Sequence, residues 1–121
     1  MSFRFFSDWD FENANPPCRI TDMDPGFLHR LDVARHHAGI PLILNSAYRT
    51  VEHEKSRGRS GTSSHTLGKA VDIRATNSRQ RFLILTGLLK AGFHRIGIAK
   101  NNIHADYDEA KDPAVVWTYY P

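Results

Sequence analysis

The chain has 121 residues, of which 40% are hydrophobic and 24% charged, and its formal net charge is +3. This length suits one domain with its own core, and no apolar run approaches the roughly 20 residues that cross a bilayer. The single cysteine, Cys18, excludes an internal disulfide, and the weak basic bias lacks the dense stripe with interleaved aromatics of nucleic-acid-binding proteins. We therefore expect a single-domain protein without membrane insertion and without a nucleic-acid partner.

The N-terminal 23 residues predict an irregular arm. Aromatic residues occur there without periodicity, and an Asn-Pro-Pro run follows them at 15–17. The first ten residues also lack the apolar core of a signal peptide. We expect the arm to pack its aromatics onto the domain and the chain to be cytoplasmic as synthesised.

Two main helices are predicted after the arm. Asp24 is a typical N-cap, Pro25 suits the first helical position, and Gly39 ends the helix. The second helix is predicted between a cap at position 77 or 78 and Gly92. The apolar positions that recur at helical spacing, and so predict the inner face, are Phe27, Leu28, Leu31, Ala34 and Ala38 in the first helix. In the second helix, the predicted buried face consists of Phe82, Leu85, Leu88 and Leu89.

Short apolar or alternating segments predict strands at 40–46, 70–73, 95–98 and 103–106. The asparagines at 101–102 suit a turn, so the last two strands are predicted to form a hairpin. Residues 51–57 can form one or two helical turns, and the apolar tail 113–120 is predicted to return and cover the sheet. The fold class is therefore α+β, with a small antiparallel sheet packed against two main helices.

One strand carries a carboxylate that needs a partner. Asp72 lies inside the apolar segment 70–73, and burying its charge is costly unless something pairs with it. His65 precedes the strand, with Gly68 permitting a tight turn between them. A metal ion explains both residues if His104, on the same face of its strand as Asp106, supplies a third ligand.

Two imidazoles and a carboxylate with an open fourth position are typical of a catalytic zinc site, whereas structural sites are usually rich in cysteine. Zinc in such a site lowers the pKa of its water and polarises a carbonyl, which suits amide hydrolysis. The alternative is coincidence, since the chain contains seven histidines.

Three segments together resemble a known family. The run 64–73, Ser-His-Thr-Leu-Gly-Lys-Ala-Val-Asp-Ile, resembles the Ser-x-His-x-x-Gly-x-Ala-x-Asp motif of the D-alanyl-D-alanine carboxypeptidase-like metallopeptidases of the M15 family. The segment 45–50 resembles the Ser-Gly-Tyr-Arg-Ser segment of that family, and 103–106 resembles its Ile-His-Val-Asp segment. The segment 116–119 is similar to a tail of short members, and the resemblance as a whole runs from about Leu31 to the C-terminus.

The resemblance implies a hedgehog/DD-peptidase-like fold in which His65, Asp72 and His104 bind one zinc ion in a single zinc peptidase-like domain. It implies that Arg49 binds substrate or stabilises an oxyanion, although a surface salt bridge is an equal alternative. Ser64 would steady the loop or the Asp ligand, or make a simple turn hydrogen bond. The implied substrate is the peptide stem of peptidoglycan, cleaved by a monomer acting as D,D-/L,D-carboxypeptidase or endopeptidase. A cell-wall enzyme without an export signal would fit a phage or prophage lysis protein.

The general base departs from the family pattern. Many members place a glutamate three residues, or a histidine two residues, before the last metal histidine, and here positions 101 and 102 are both asparagine. Asp106 is the candidate base, and its alternative role is to orient a ligand or to pair with Arg49. Weaker candidates are Glu52, His53 and Glu54. The departure also leaves open a catalytically inactive zinc-binding module of the same fold.

Overall fold

The computed structural model describes residues 3–119, which contain four α-helices and a five-stranded mixed sheet. The helices are α1 (Asp8–Glu12), α2 (Pro25–Ala38), α3 (Val51–Ser56) and α4 (Ser78–Lys90), and 3-10 turns span Ile20–Asp22 and Ser64–Leu67. The strands are β1 (Leu44–Ser46), β2 (Ala70–Arg74), β3 (Arg95–Ile98), β4 (Asn102–Asp106) and β5 (Val115–Thr118). This arrangement confirms the α+β fold class.

Helix α2 begins and ends where the sequence predicts. The Asp24 carboxylate accepts a hydrogen bond from the Phe27 backbone N–H, Pro25 is the first helical residue, and Gly39 ends the helix with φ +72°. All five apolar residues predicted for its inner face are buried. Helix α2 therefore contributes one wall of the core.

Helix α4 packs against α2, but its buried stripe differs from the prediction. The Asn77 side chain caps the helix, and the buried positions are Ile84, Gly87 and Leu88. Two residues predicted to be buried are instead exposed, Phe82 at 68% and Leu89 at 53%. The prediction was wrong there because the contact with α2, which brings the helices closest at Gly87, selects which side of the helix faces inward.

The strand order in the sheet is β1-β2-β4-β3-β5. Strands β1 to β4 pair antiparallel, and β3 with β4 forms the predicted hairpin. The tail does not cover the sheet as predicted: it adds β5 to the edge, parallel to β3, so the sheet is mixed rather than antiparallel. The first strand is shorter than predicted, since only 44–46 pair and Pro41 has no N–H to donate to a ladder.

The N-terminal arm is more regular than predicted, because residues 8–12 form α1 and 20–22 form a 3-10 turn. Its phenylalanines pack onto the domain as predicted, whereas Trp9 is 63% exposed. Phe11 is fully buried and Phe6 is 6% exposed, both within the common core. Among residues 3–119, no helix has the length and apolar character needed to cross a membrane.

The two faces of the central strands have different roles. Val71 and Ile73 of β2 and Ile103 and Ala105 of β4 are completely buried in the core. Because successive side chains of a strand alternate, the residues between them, including Asp72, point to the opposite face. That polar face carries the site described next.

Candidate metal centre

The sheet brings two of the predicted ligands together directly. Strands β2 and β4 are neighbours, and their register places Asp72 opposite His104. His65 approaches from the 3-10 turn that precedes β2. That turn closes at Gly68, whose φ is +69° and where a Cβ atom would lie 2.6 Å from the Asp22 carbonyl oxygen, so only glycine fits.

The three side chains could hold a metal ion. One ligand atom from each of His65, Asp72 and His104 lies within 4.8 Å of the others. The Asp72 Oδ1 atom is 2.9 Å from His104 Nδ1 and 3.5 Å from His65 Nε2. Tetrahedral zinc with bonds of about 2.0–2.1 Å separates its ligands by about 3.4 Å. The two separations from Asp72 lie near this value, so the cluster could hold a metal ion.

The outer nitrogen of each histidine is held by a neighbour. His65 Nδ1 lies 2.6 Å from the Ala47 carbonyl oxygen, and His104 Nε2 lies 2.7 Å from Asp106 Oδ2. An outer nitrogen that donates its proton to such an oxygen fixes the orientation of the ring, and the inner nitrogen, which lies next to Asp72, is then the one that would bind a metal. This pattern of outer partners is typical of metal-binding histidines.

The electrostatics keep the carboxylates ionised. Burial raises the pKa of Asp72, but hydrogen bonds from His104 and His65 outweigh it and hold that pKa well below its usual range. Burial also raises the pKa of Asp106. Its contacts with His104 and Arg95 have the larger effect, so the pKa of Asp106 is lowered overall. Both groups are thus anionic acceptors rather than proton donors.

Asp106 lies where it can position a ligand. It is 1% exposed, its Oδ2 accepts from His104, and its Oδ1 lies 2.7 Å from Arg95 Nε. Asp106 therefore pairs with Arg95 rather than with Arg49, which the sequence offered as one possible partner. With both oxygens engaged, Asp106 matches the orienting role better than the role of general base.

Arg49 lies beside the three candidate ligands. Its Nη1 atom donates to the Ser46 hydroxyl at 2.9 Å and lies 3.8 Å from Asp72 Oδ2. Its Nε atom lies 3.1 Å from Glu54 Oε2, and Arg59 Nη1 contacts the same oxygen at 3.1 Å. Ser46 and Glu54 therefore hold the Arg49 guanidinium so that its Nη1 atom faces Asp72.

Glu54 anchors this arrangement and does not face the cleft. The residue is completely buried on α3. Burial raises its pKa, but the Ser63 hydroxyl and the guanidinium groups of Arg49 and Arg59 together hold the pKa below its ordinary value. A buried, doubly paired carboxylate of this kind supports Arg49 rather than accepting a proton from water.

Of the roles considered for Ser64, steadying the Asp ligand is the one that its contacts do not support. Its hydroxyl donates to Asp108 Oδ2 at 2.8 Å and accepts from Lys111 Nζ at 2.8 Å, so it does not contact Asp72. Ser63, two residues before His65, instead accepts the His65 backbone N–H at 3.1 Å. The Ser-x-His spacing of the family motif therefore corresponds to Ser63.

The three candidate metal ligands line an open cleft of about 560 Å³. One wall of the cleft is formed by Trp117 of β5. Its indole lies against Gly97, where a Cβ atom would be 2.5 Å from the indole Nε1. The Trp117 ring centroid is 5.6 Å from that of His104. Arg95 lies over the same indole at 5.2 Å. The cleft is lined by Arg49, Arg59, Ser63, Ser64, His65, Asp72, Arg95, Ala99, Asn102, His104, Asp106, Lys111, Trp117 and Tyr119.

A scan against protein-family models matches residues 11–108 to the family described as Peptidase M15. The chain belongs to the peptidase M15 family. The matched range begins at residue 11, whereas the resemblance seen in the sequence begins at about Leu31, so the match includes part of the N-terminal arm. It ends before β5. A sequence search of curated proteins finds no match. Peptidases of this family depend on zinc, and the His65, Asp72 and His104 cluster could hold such an ion.

Sequence reasoning missed three contributors to the cleft. Arg95, Lys111 and the role of Glu54 as an anchor depend on contacts between segments far apart in the chain. The alternation of β3 offered one signal, because it places Arg95 on the face opposite to the buried Ile96. No comparable pattern singles out Lys111, which lies in a loop.

Proposed function

We propose that this M15 peptidase is a zinc enzyme that hydrolyses peptide bonds in the stems of bacterial peptidoglycan, as a D,D-/L,D-carboxypeptidase or an endopeptidase. The observation that carries the proposal is the cluster of His65, Asp72 and His104 at the floor of an open cleft, with the outer nitrogen of each histidine already held. Three protein ligands leave one position of a tetrahedral ion for water or substrate.

The residues around the cluster have distinct roles in this proposal. Zinc, when bound, polarises the scissile carbonyl and lowers the pKa of the attacking water. Asp106 holds the Nε2 proton of His104 and fixes the orientation of its ring. Arg49 directs a guanidinium toward the same space, where it can bind a peptide carboxylate or stabilise the developing negative oxygen.

The charge of the cleft supports an acidic peptide as substrate. Four cationic side chains line the cleft: Arg49, Arg59, Arg95 and Lys111. The two carboxylates in its lining are Asp72, a predicted metal ligand, and Asp106, which contacts His104. Peptide stems carry free carboxylates, which such a surface attracts. The aromatic wall formed by Trp117 and Tyr119 can contact the apolar parts of the same peptide.

The test measures metal content and hydrolysis in the same preparations. Purified protein should contain one zinc ion and release peptide fragments from purified sacculi, and mass spectrometry of the fragments identifies the cleaved bond. His65→Ala and Asp72→Ala should lose both zinc and hydrolysis, while His36→Ala, which alters an exposed histidine on α2, should keep both. Full hydrolysis by a zinc-free variant would refute the proposal.

A second candidate is a zinc-binding module of the same fold without catalysis. It is favoured by one observation: among residues 3–119, the only carboxylates lining the cleft are Asp72 and Asp106, and both are paired. Asn102, where a proton acceptor is found in many relatives, cannot take a proton. Stoichiometric zinc with no fragment release from sacculi across a range of pH would select this candidate.

A further inference from the structure

A second, smaller concavity lies next to the cleft and is distinct from the metal centre. It has a volume of about 150 Å³, and we call it the arginine pocket. None of the three predicted metal ligands lines it. Its lining residues are Asn15, Pro16, Arg49, His53, Arg57 and Arg59.

The backbone after α3 directs two guanidinium groups into this pocket. The chain turns at Gly58, with the N–H groups of Arg57 and Arg59 both bonded to the Glu54 carbonyl, at 3.2 and 2.9 Å. Arg57 and Arg59 therefore flank one tight turn. The opposite side is closed by the N-terminal arm, which is tied to β1 by the bond from the Asn15 N–H to the Asn45 carbonyl at 2.9 Å.

The charges of the arginine pocket are not balanced. Three guanidinium groups and one imidazole line it, and no carboxylate does. Two acidic groups outside the lining pair with it: Glu54, whose single charge is shared by Arg49 and Arg59, and Asp72, a candidate metal ligand that lies 3.8 Å from Arg49. Arg57 has no side-chain partner within the described range 3–119, and Arg59 is half exposed. Several like charges that line one concavity favour the binding of an anion.

We propose that the arginine pocket binds an oxyanion, a phosphate or carboxylate group, at a site separate from the zinc centre. The planar fork of a guanidinium matches two oxygens of either group, and the Arg57 and Arg59 pair offers two such forks. Because Arg49 and Arg59 also line the metal cleft, an acidic polymer can contact both concavities at once. The site goes beyond the proposed peptidase activity and does not depend on it.

The test is a titration of the zinc-loaded protein with inorganic phosphate and, separately, with acetate, at constant ionic strength. The amide chemical shifts are measured by NMR at each step. Saturable shifts are expected at residues 53–59. Arg57→Gln should weaken binding by about tenfold, the effect of losing one charged hydrogen-bond partner. The matched control is Lys55→Gln, which removes the same charge from α3 at an exposed position outside the pocket lining and should change the affinity little.

The two ligands distinguish the source of the oxyanion. Saturation by phosphate alone assigns a phosphate group, and saturation by acetate with the same dependence on Arg57 assigns a carboxylate. Shifts confined to residues around His65 would place the anion on the zinc and overturn the proposal. An equal effect of Arg57→Gln and Lys55→Gln would also overturn it, as would the absence of saturable shifts at residues 53–59.

Discussion

Glu54→Gln is the substitution that most directly tests how the cleft is built. It keeps the size of a completely buried side chain but removes the charge that Arg49 and Arg59 share. Arg49 then loses its anchor next to Asp72. We expect both a less stable protein and, if the proposed peptidase activity is present, a lower kcat/KM.

The size of the stability loss caused by Glu54→Gln follows from how exposed each arginine partner is. Removing one partner of a buried ion pair costs about 3–5 kcal/mol. The Arg49 side chain is only 13% exposed, whereas Arg59 is 50% exposed, so the Arg59 pair adds at most about 1 kcal/mol. Because glutamine still offers an acceptor oxygen, we expect a loss of about 3 kcal/mol. For 121 residues this corresponds to a fall in Tm of about 12 °C.

The assay is urea unfolding of the wild type, Glu54→Gln, Arg49→Gln and the double variant, which isolates the coupling between the two side chains. Glu52→Gln, on an exposed position of the same helix, is the control and should stay within about 0.5 kcal/mol of the wild type. The reasoning is refuted if Glu54→Gln is as stable as the control or if the cycle shows no coupling.

The ion pairs of Glu54 with Arg49 and Arg59 also predict how the free energy of unfolding depends on pH. The folded protein holds the pKa of Glu54 below the ordinary value of 4.5, because the Ser63 hydroxyl and the two arginines outweigh the effect of burial. A carboxyl with a depressed pKa stabilises the fold above its unfolded pKa and loses that contribution as the pH falls through the folded pKa. The stability difference between wild type and Glu54→Gln should therefore shrink as the pH is lowered below 4.5.

Two further substitutions test the walls of the cleft. Asp106→Asn removes the acceptor that orients the second histidine ligand and should weaken zinc binding by about 10–100-fold in a chelator competition. Asp112→Asn, at an exposed position, is its control, and equal affinities would contradict the orienting role. Gly97→Ala places a Cβ atom 2.5 Å from the Trp117 ring and should cost about 1–3 kcal/mol and change the near-UV circular dichroism. The other tryptophan, Trp9, is 63% exposed and provides a constant background, so an unchanged spectrum would contradict the contact.

Several features of the cleft depend on contacts that no local pattern specifies. The buried position of Glu54 requires the loop at 57–63 to fold back over α3, and its sequence neighbours on that helix are exposed or partly exposed. The pair formed by Arg95 and Asp106 joins two strands, and Lys111 reaches Ser64 across 47 positions of the chain. The sequence therefore offers Arg49 as one possible partner of Asp106, whereas the pairing of β3 with β4 puts Arg95 next to it.

The sequence by itself determined the elements whose signals are local. The caps and apolar spacing of α2 and the hairpin of β3 and β4 could be read directly, and strand alternation placed Asp72 and His104 away from the core. Only the tertiary structure decided which face of α4 is buried, that the tail pairs parallel to β3, and that Trp117 walls the cleft. The physical reason is that capping and side-chain periodicity act within a few residues, whereas strand order and ion pairing depend on which distant segments share the core.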